Sequence, residues 1–137
     1  MTWRARADGR LRALRALPEL AHLSGSELRG LLGHFDEITV PAGTVISRAG
    51  RFCGQYVVVL DGRLATVDGA GRPTGMAAAS CGWEPMCERG VSPATVLADS
   101  DARLLVMSHA QFRAVPIRAR DLGGDRRAPA QTLPVRV

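Results

Sequence analysis

Three histidines are the side chains of this sequence best suited to holding a metal ion, because neutral imidazole is a common metal ligand. His22, His34 and His109 are far apart and lie on or beside segments with helical periodicity. A metal centre needs several ligands around one ion, so this spacing predicts no metal site. No Ser-His-Asp or Cys-His set has a known catalytic spacing either, although sequence distance does not exclude a set assembled in space. We therefore expect a protein that is not an enzyme.

The three cysteines, Cys53, Cys81 and Cys87, cannot pair fully with one another, and their spacing matches no zinc motif. The longest purely apolar run, residues 56–60, is far shorter than the stretch of about 20 residues that spans a membrane. The N-terminus alternates arginine with leucine and alanine, which is not the pattern of a secretory signal. These observations predict a reducing, cytoplasmic location without a membrane partner.

The formal net charge of +5 would suit an acidic partner, but the charge is not concentrated in one place. All 18 basic residues are arginines, and they are spread from Arg4 to Arg136 with a mild cluster in residues 4–15. Binding to nucleic acid through charge alone needs a basic face or helix. We therefore interpret most of these arginines as a solvated surface.

Helical signals flank the middle of the chain. Leu11, Leu14 and Leu17 have helical spacing, and Pro18 ends that segment. Ser24 with Glu27 forms a capping box that predicts a second helix, and Ser108 with Gln111 predicts a third over residues 109–115.

Between these helices the periodicity is that of strands. The pattern predicts short strands over residues 38–40, 44–48, 55–60, 63–67, 94–98 and 103–108, with a weaker one at 74–79. Asp61-Gly62 is typical of a tight hairpin joining two of them, and residues 80–93 show no regular pattern. Many short strands separated by frequent turns favour a mainly β sandwich or roll with helices confined to its ends. The fold that we expect is a double-stranded β-helix, a jelly-roll-like β-roll with short flanking N- and C-terminal helices.

The order of these elements and the phrases within them resemble the cyclic nucleotide-binding domain of the catabolite-activator family and of regulated kinases and channels. The phrases are Leu17-Pro18, Leu23-Ser24 and residues 40–46, 48–50, 56–64, 94–98 and 102–107. The likeness covers residues 10–116, which we take as the domain. Residues 1–9 are then an N-terminal extension, and 117–137 a flexible C-terminal tail with little periodic pattern.

In that family a Gly-Glu pair opens a small helix, and its glutamate accepts a hydrogen bond from the ribose. An arginine followed by Ser or Thr and then Ala holds the cyclic phosphate. The resemblance places this cassette within residues 82–95 and identifies these ligand-binding candidates: Gly82, Trp83, Glu84, Arg89, Ser92, Pro93, Ala94 and Thr95. Glu84 is the ribose partner if one residue has been lost from the loop.

Two positions of the cassette depart from the family pattern. Ser92 stands where the arginine belongs, and Pro93, which has neither a hydroxyl nor an N–H, stands where Ser or Thr belongs. Losing two hydrogen bonds to a charged group would weaken binding by roughly two to four orders of magnitude. Arg89 lies in the same loop and offers compensation. We interpret Trp83 as a cover over the core edge rather than a stacking platform, and place Pro85 at the first position of a short helix.

The resulting hypothesis is a non-enzymatic regulatory module with a degenerate phosphate site. It would act through a protein partner or a non-standard ligand, with any cyclic nucleotide bound weakly or not at all. One alternative is a genuine cyclic AMP or cyclic GMP sensor that uses Glu84 and Arg89. A metal-dependent cupin, which shares the roll, is a third interpretation that the separated histidines disfavour. No cofactor, metal or DNA-binding domain is expected, and the oligomeric state stays open.

Overall fold

The computed structural model describes residues 3–88 and 90–115, and side chains within them except those of 3–8 and 75–78. Four α-helices are present in this part of the chain: α1 (Trp3–Arg15), α2 (Gly25–Leu32), α3 (Trp83–Glu88) and α4 (His109–Ala114). A 3-10 helix, Pro18–Leu20, joins α1 to α2. The predicted capping boxes are confirmed, since Ser24 caps α2 and Ser108 caps α4 with both reciprocal hydrogen bonds. The predicted tail lies outside the described residues, and both domain boundaries stay predictions.

Among the described residues, eight strands form two antiparallel four-stranded sheets, which confirms the mainly β roll. One sheet has the order β1-β8-β3-β6 and the other the order β2-β7-β4-β5. Their bounds are β1 Asp36–Val40, β2 Val45–Ser47, β3 Gln55–Asp61, β4 Leu64–Val67, β5 Pro73–Ala78, β6 Ser80–Cys81, β7 Thr95–Ala98 and β8 Ala102–Ser108.

Strand β3 is buried on both faces and divides the core in two. Tyr56 and Val58 contact the helices, in a cluster that includes Leu14, Leu28 and Met107. Val57 instead packs between the sheets, with Leu64, Val96 and Leu104. Side chains alternate across a strand, so one continuous apolar run supplies both layers.

The hairpin predicted at Asp61-Gly62 is wrong. Strand β3 pairs with β8 and β6, whereas β4 pairs with β5 and β7, so the chain changes sheets at this point. Gly62 has a φ of +94°, and a Cβ there would overlap the carbonyl oxygen of Asp101. The glycine therefore serves a corner between sheets, where a second chain segment passes close to its backbone.

Candidate functional site

A cavity of about 1010 Å³ opens between β2, the loop that follows it, and the segments around α3 and β7. Its wall includes the predicted residues Gly82, Trp83, Glu84, Ser92, Pro93 and Ala94. Thr95 is not part of that wall; its Oγ1 instead accepts a hydrogen bond of 3.0 Å from the N–H of Ala49. Arg89 lies outside the described residues. The structure therefore brings most of the predicted cassette to one concave surface.

The short cassette helix predicted around Pro85 is present as α3, whereas the lack of regular structure expected for residues 80–93 is wrong in the first half of that stretch. Strand β6 leads into α3, whose first turn is closed by the N–H of Met86 donating to the carbonyl oxygen of Gly82 at 3.0 Å. The helix begins at Trp83, which makes Pro85 its third residue rather than its first. A proline is tolerated there because the first four N–H groups of a helix have no partner within it.

The Trp83 side chain packs in the core and also lines the cavity. Its side chain is 6% exposed and packs against Tyr56 and Phe112, with ring centroids 4.9 and 5.5 Å away. These contacts agree with the predicted cover role. The indole also lines the cavity, and its Nε1 has no hydrogen-bond partner within the described part of the chain. This indole N–H is enclosed by the protein, away from the open part of the cavity.

Both backbone polar groups of Ser92 are hydrogen-bonded to the loop after β2. Its N–H donates to the carbonyl oxygen of Arg51 at 2.8 Å, and its carbonyl oxygen accepts from the N–H of Gly50 at 2.9 Å. Ser92 is 5% exposed. Pro93 carries no N–H. Neither residue therefore presents a backbone donor or a positive charge to a ligand.

Two arginines of that loop line the same cavity, and the sequence reasoning missed them. Arg48 and Arg51 flank a turn in which the N–H of Arg51 donates to the carbonyl oxygen of Arg48 at 3.1 Å. Arg48 belongs to a phrase that supported the resemblance, but nothing in the local pattern relates it to Ser92. The antiparallel pairing of β2 with β7, together with the backbone hydrogen bonds of Gly50 and Arg51 to Ser92, brings the two segments together.

Glu19, in the 3-10 helix, also lines the cavity wall, and the sequence analysis did not identify it. Its Oε2 accepts hydrogen bonds from the Tyr56 hydroxyl at 2.7 Å and from Ser80 Oγ at 2.6 Å. Burial, together with the neighbouring Glu19 charge, raises the pKa of Tyr56 well above its ordinary value. The phenol therefore stays protonated and acts as a donor.

Cys53 and Cys81 also line the cavity. Burial, with a smaller contribution from Cys53, raises the pKa of Cys81 to about 12. Its thiol is protonated at neutral pH and is a poor nucleophile.

Among the described residues, no group of three or more His, Cys, Asp or Glu side chains is arranged to hold a metal ion. None of the described helices has the length and apolar character needed to cross a membrane.

Comparison with known proteins gives matches among solved structures alone; no family model and no curated protein matches the chain. The regulatory domain of Toxoplasma gondii protein kinase A, crystallised with cAMP, is similar to it with a TM-score of 0.73 and 20% identity. That match covers 86% of this chain and 47% of the other. This chain thus spans about half the length of that kinase regulatory structure.

Two further structures are similar. A cyclic nucleotide-binding-like protein from Brucella abortus has a TM-score of 0.65 and 17% identity, covering 77% of this chain and 96% of that one. A mutant regulatory subunit of a cAMP-independent protein kinase A from Trypanosoma brucei has a TM-score of 0.66 and 17% identity, covering 86% and 46%. The chain has the β-roll fold of cyclic nucleotide-binding domains, as the resemblance predicted.

Proposed function

We propose that this chain is a non-enzymatic regulatory module of the cyclic nucleotide-binding type that binds a small ligand without the family's phosphate grip and acts on a protein partner. The similar structures are regulatory or cyclic nucleotide-binding-like proteins, which supports a regulatory role. The size of the cavity, about 1010 Å³, supports a ligand rather than a purely structural roll. A cytoplasmic location belongs to the same proposal.

One observation carries the proposal. Ser92, where the family has its arginine, is uncharged and its N–H donates to Arg51, while Pro93 has no N–H. A cyclic phosphate needs positive charge and free amide donors. This pair of residues supplies neither, although the cavity beside it remains open.

A second observation supports this interpretation from another protein. The Trypanosoma brucei subunit is described as cAMP-independent, and a triple mutant that includes a threonine-to-arginine replacement is bound to cAMP. An arginine thus accompanies a cAMP complex in a protein of the same fold. Restoring the family residues in this chain is therefore a direct test.

The experiment compares the unmodified protein with the double variant Ser92→Arg, Pro93→Thr by calorimetric titration with cAMP, cGMP and cyclic dinucleotides. We expect the unmodified protein to bind none of them tightly. The double variant should gain affinity for cAMP or cGMP by about two orders of magnitude, as two restored charge-assisted hydrogen bonds imply. Tight binding by the unmodified protein contradicts the proposal.

The second candidate is a genuine cyclic nucleotide sensor, and it is favoured by the position of Glu84 in the cavity wall. In this function Glu84 would accept the ribose hydroxyl, and Arg89 would hold the phosphate. It predicts tight cAMP or cGMP binding that Arg89→Ala abolishes, whereas Arg72→Ala, an exposed arginine outside the cavity wall, has no effect.

A further inference from the structure

We propose that Arg48 and Arg51 form an anion-binding end of the cavity, and that its ligand is a small organic anion with one terminal phosphate or carboxylate group on an aromatic or apolar body, and not the cyclic phosphodiester of a cyclic nucleotide. The inference rests on the proposed function, because it assumes that the cavity is a ligand site. It goes further in naming the residues that hold the ligand and the chemistry that they select.

Backbone geometry places the two arginines together. Residues 48–51 form a β-turn in which the N–H of Arg51 donates to the carbonyl oxygen of Arg48. Gly50 has a positive φ, +81°, as the third residue of a type II turn requires. The first and fourth Cα atoms of a β-turn lie within about 7 Å of each other. The Cα atoms of the two arginines are therefore close together on one rim of the cavity.

The turn is held beside the position where the family arginine is missing. Gly50 and Arg51 exchange backbone hydrogen bonds with Ser92, and the N–H of Cys53 donates to the carbonyl oxygen of Gly90 at 3.1 Å. Ser92 itself is buried and contributes no charge. The positive charge absent from the cassette is thus supplied from the adjacent loop.

Both guanidinium groups are available to a ligand. Arg10 and Arg103 pair with Glu37, and Arg63 pairs with Asp99. Arg48 and Arg51 have no ion pair within the part of the chain that the structure describes. Two neighbouring arginines without ion pairs can bind phosphate or carboxylate oxygens through parallel N–H donors.

The remaining wall indicates what the anion is attached to. Val45, Phe52 and Trp83 provide apolar and aromatic surface. An aromatic or apolar body therefore fits between the arginine rim and the indole.

Glu19 and Glu84 disfavour a ligand that carries a second negative group. Both line the cavity, and Glu19 already accepts two hydrogen bonds through Oε2. Like charges at short range repel, so the ligand carries its anionic group at the arginine end and neutral or donor groups elsewhere. A compound with anions at both ends is selected against.

Three naphthalene compounds test the assignment by calorimetric titration into the full chain: 1-naphthyl phosphate, 1-naphthoate and uncharged 1-naphthalenemethanol. We expect at least one anionic compound to bind at least tenfold more tightly than the alcohol, and the tighter of the two identifies phosphate or carboxylate as the preferred group. Because the contact is electrostatic, the anion affinity should fall as salt is added.

The variant Arg48→Gln, Arg51→Gln should lower anion affinity at least tenfold and change alcohol affinity less than twofold. Arg72→Gln, which removes one positive charge outside the cavity wall, should leave all three affinities unchanged. Both cavity arginines are exposed, and circular dichroism checks that the variant folds. Unchanged anion affinity in the double variant overturns the arginine assignment but leaves the cavity as a ligand site. Absence of binding by all three compounds to the folded unmodified protein overturns the proposed ligand class, whereas the proposed function is tested separately by the nucleotide titration.

Discussion

The N–H of Ser92 donates to the carbonyl oxygen of Arg51 at 2.8 Å, so the position where the resemblance expects a phosphate-binding arginine is joined to an arginine of another loop. This single backbone contact has two effects. It occupies a donor that an anion would otherwise use, and it is one of the backbone hydrogen bonds that hold the turn of Arg48 and Arg51 beside the cavity. The cassette and the loop after β2 therefore form one site, and variants in either segment should be interpreted together.

Tyr56→Phe should destabilise the protein by about 1.5–3 kcal/mol, because it removes a buried hydrogen bond to the Glu19 carboxylate. Urea unfolding followed by circular dichroism measures the change. A Ser80→Ala variant and the double variant complete a thermodynamic cycle, since Ser80 donates to the same oxygen. Strict additivity of the two changes would contradict a shared network at Glu19.

Gly62→Ala should destabilise the fold by more than about 2 kcal/mol, because an added Cβ combines a left-handed φ with an overlap against Asp101 and Ala102. Gly43→Ala is the matched control. Gly43 has a similar φ, +92°, but a Cβ there meets nothing within 4 Å. Equal unfolding free energies for the two variants would show that the overlap at the corner between sheets has no cost.

Glu37 should make stability depend on pH in the acid range. Partial burial raises its pKa, but the hydrogen bonds and charges of Arg103 and Arg10 outweigh this and leave the pKa below its usual 4.5. A lowered folded-state pKa contributes stability above the unfolded value, and that contribution is lost as the pH falls through the folded value. The contribution is about 1 kcal/mol or less, since the Arg10 and Arg103 side chains are 34% and 43% exposed.

Urea unfolding of the unmodified protein and of Glu37→Gln, measured between pH 3 and 7, checks this expectation. The unmodified protein should be more stable than the variant at pH 7, and the difference should shrink as the pH falls toward 3. A difference that is constant across the range would mean that Glu37 acts through packing instead of charge.

Cys81 should resist alkylation in the folded protein at pH 8. With a pKa of about 12, only about one thiol in ten thousand is ionised at that pH, and thiolate is the reactive form. Iodoacetamide labelling mapped by mass spectrometry, with the urea-unfolded protein as control, measures the protection. Labelling of Cys81 at the same rate in the folded and unfolded proteins would contradict the burial described for it.

Local signals of the sequence proved dependable where the cause of the structure is itself local. Ser24 and Ser108 satisfy the first N–H groups of their own helices, so their spacing to Glu27 and Gln111 is sufficient to predict both helix starts. The apolar run within β3 likewise predicts a buried strand. The same reasoning failed at Gly62, because glycine after aspartate is compatible with both a hairpin and a corner between sheets.

What the sequence alone determined is the roll, its helix caps and the absence of charge at residues 92 and 93. Only the tertiary structure decided where Arg48, Arg51 and Glu19 stand, because the pairing of β2 with β7 and the packing of the 3-10 helix join segments far apart in the chain. Side-chain types and short spacings encode local conformation. The composition of a cavity depends on which distant backbones hydrogen-bond to each other, and that is settled only when the two sheets close around the core.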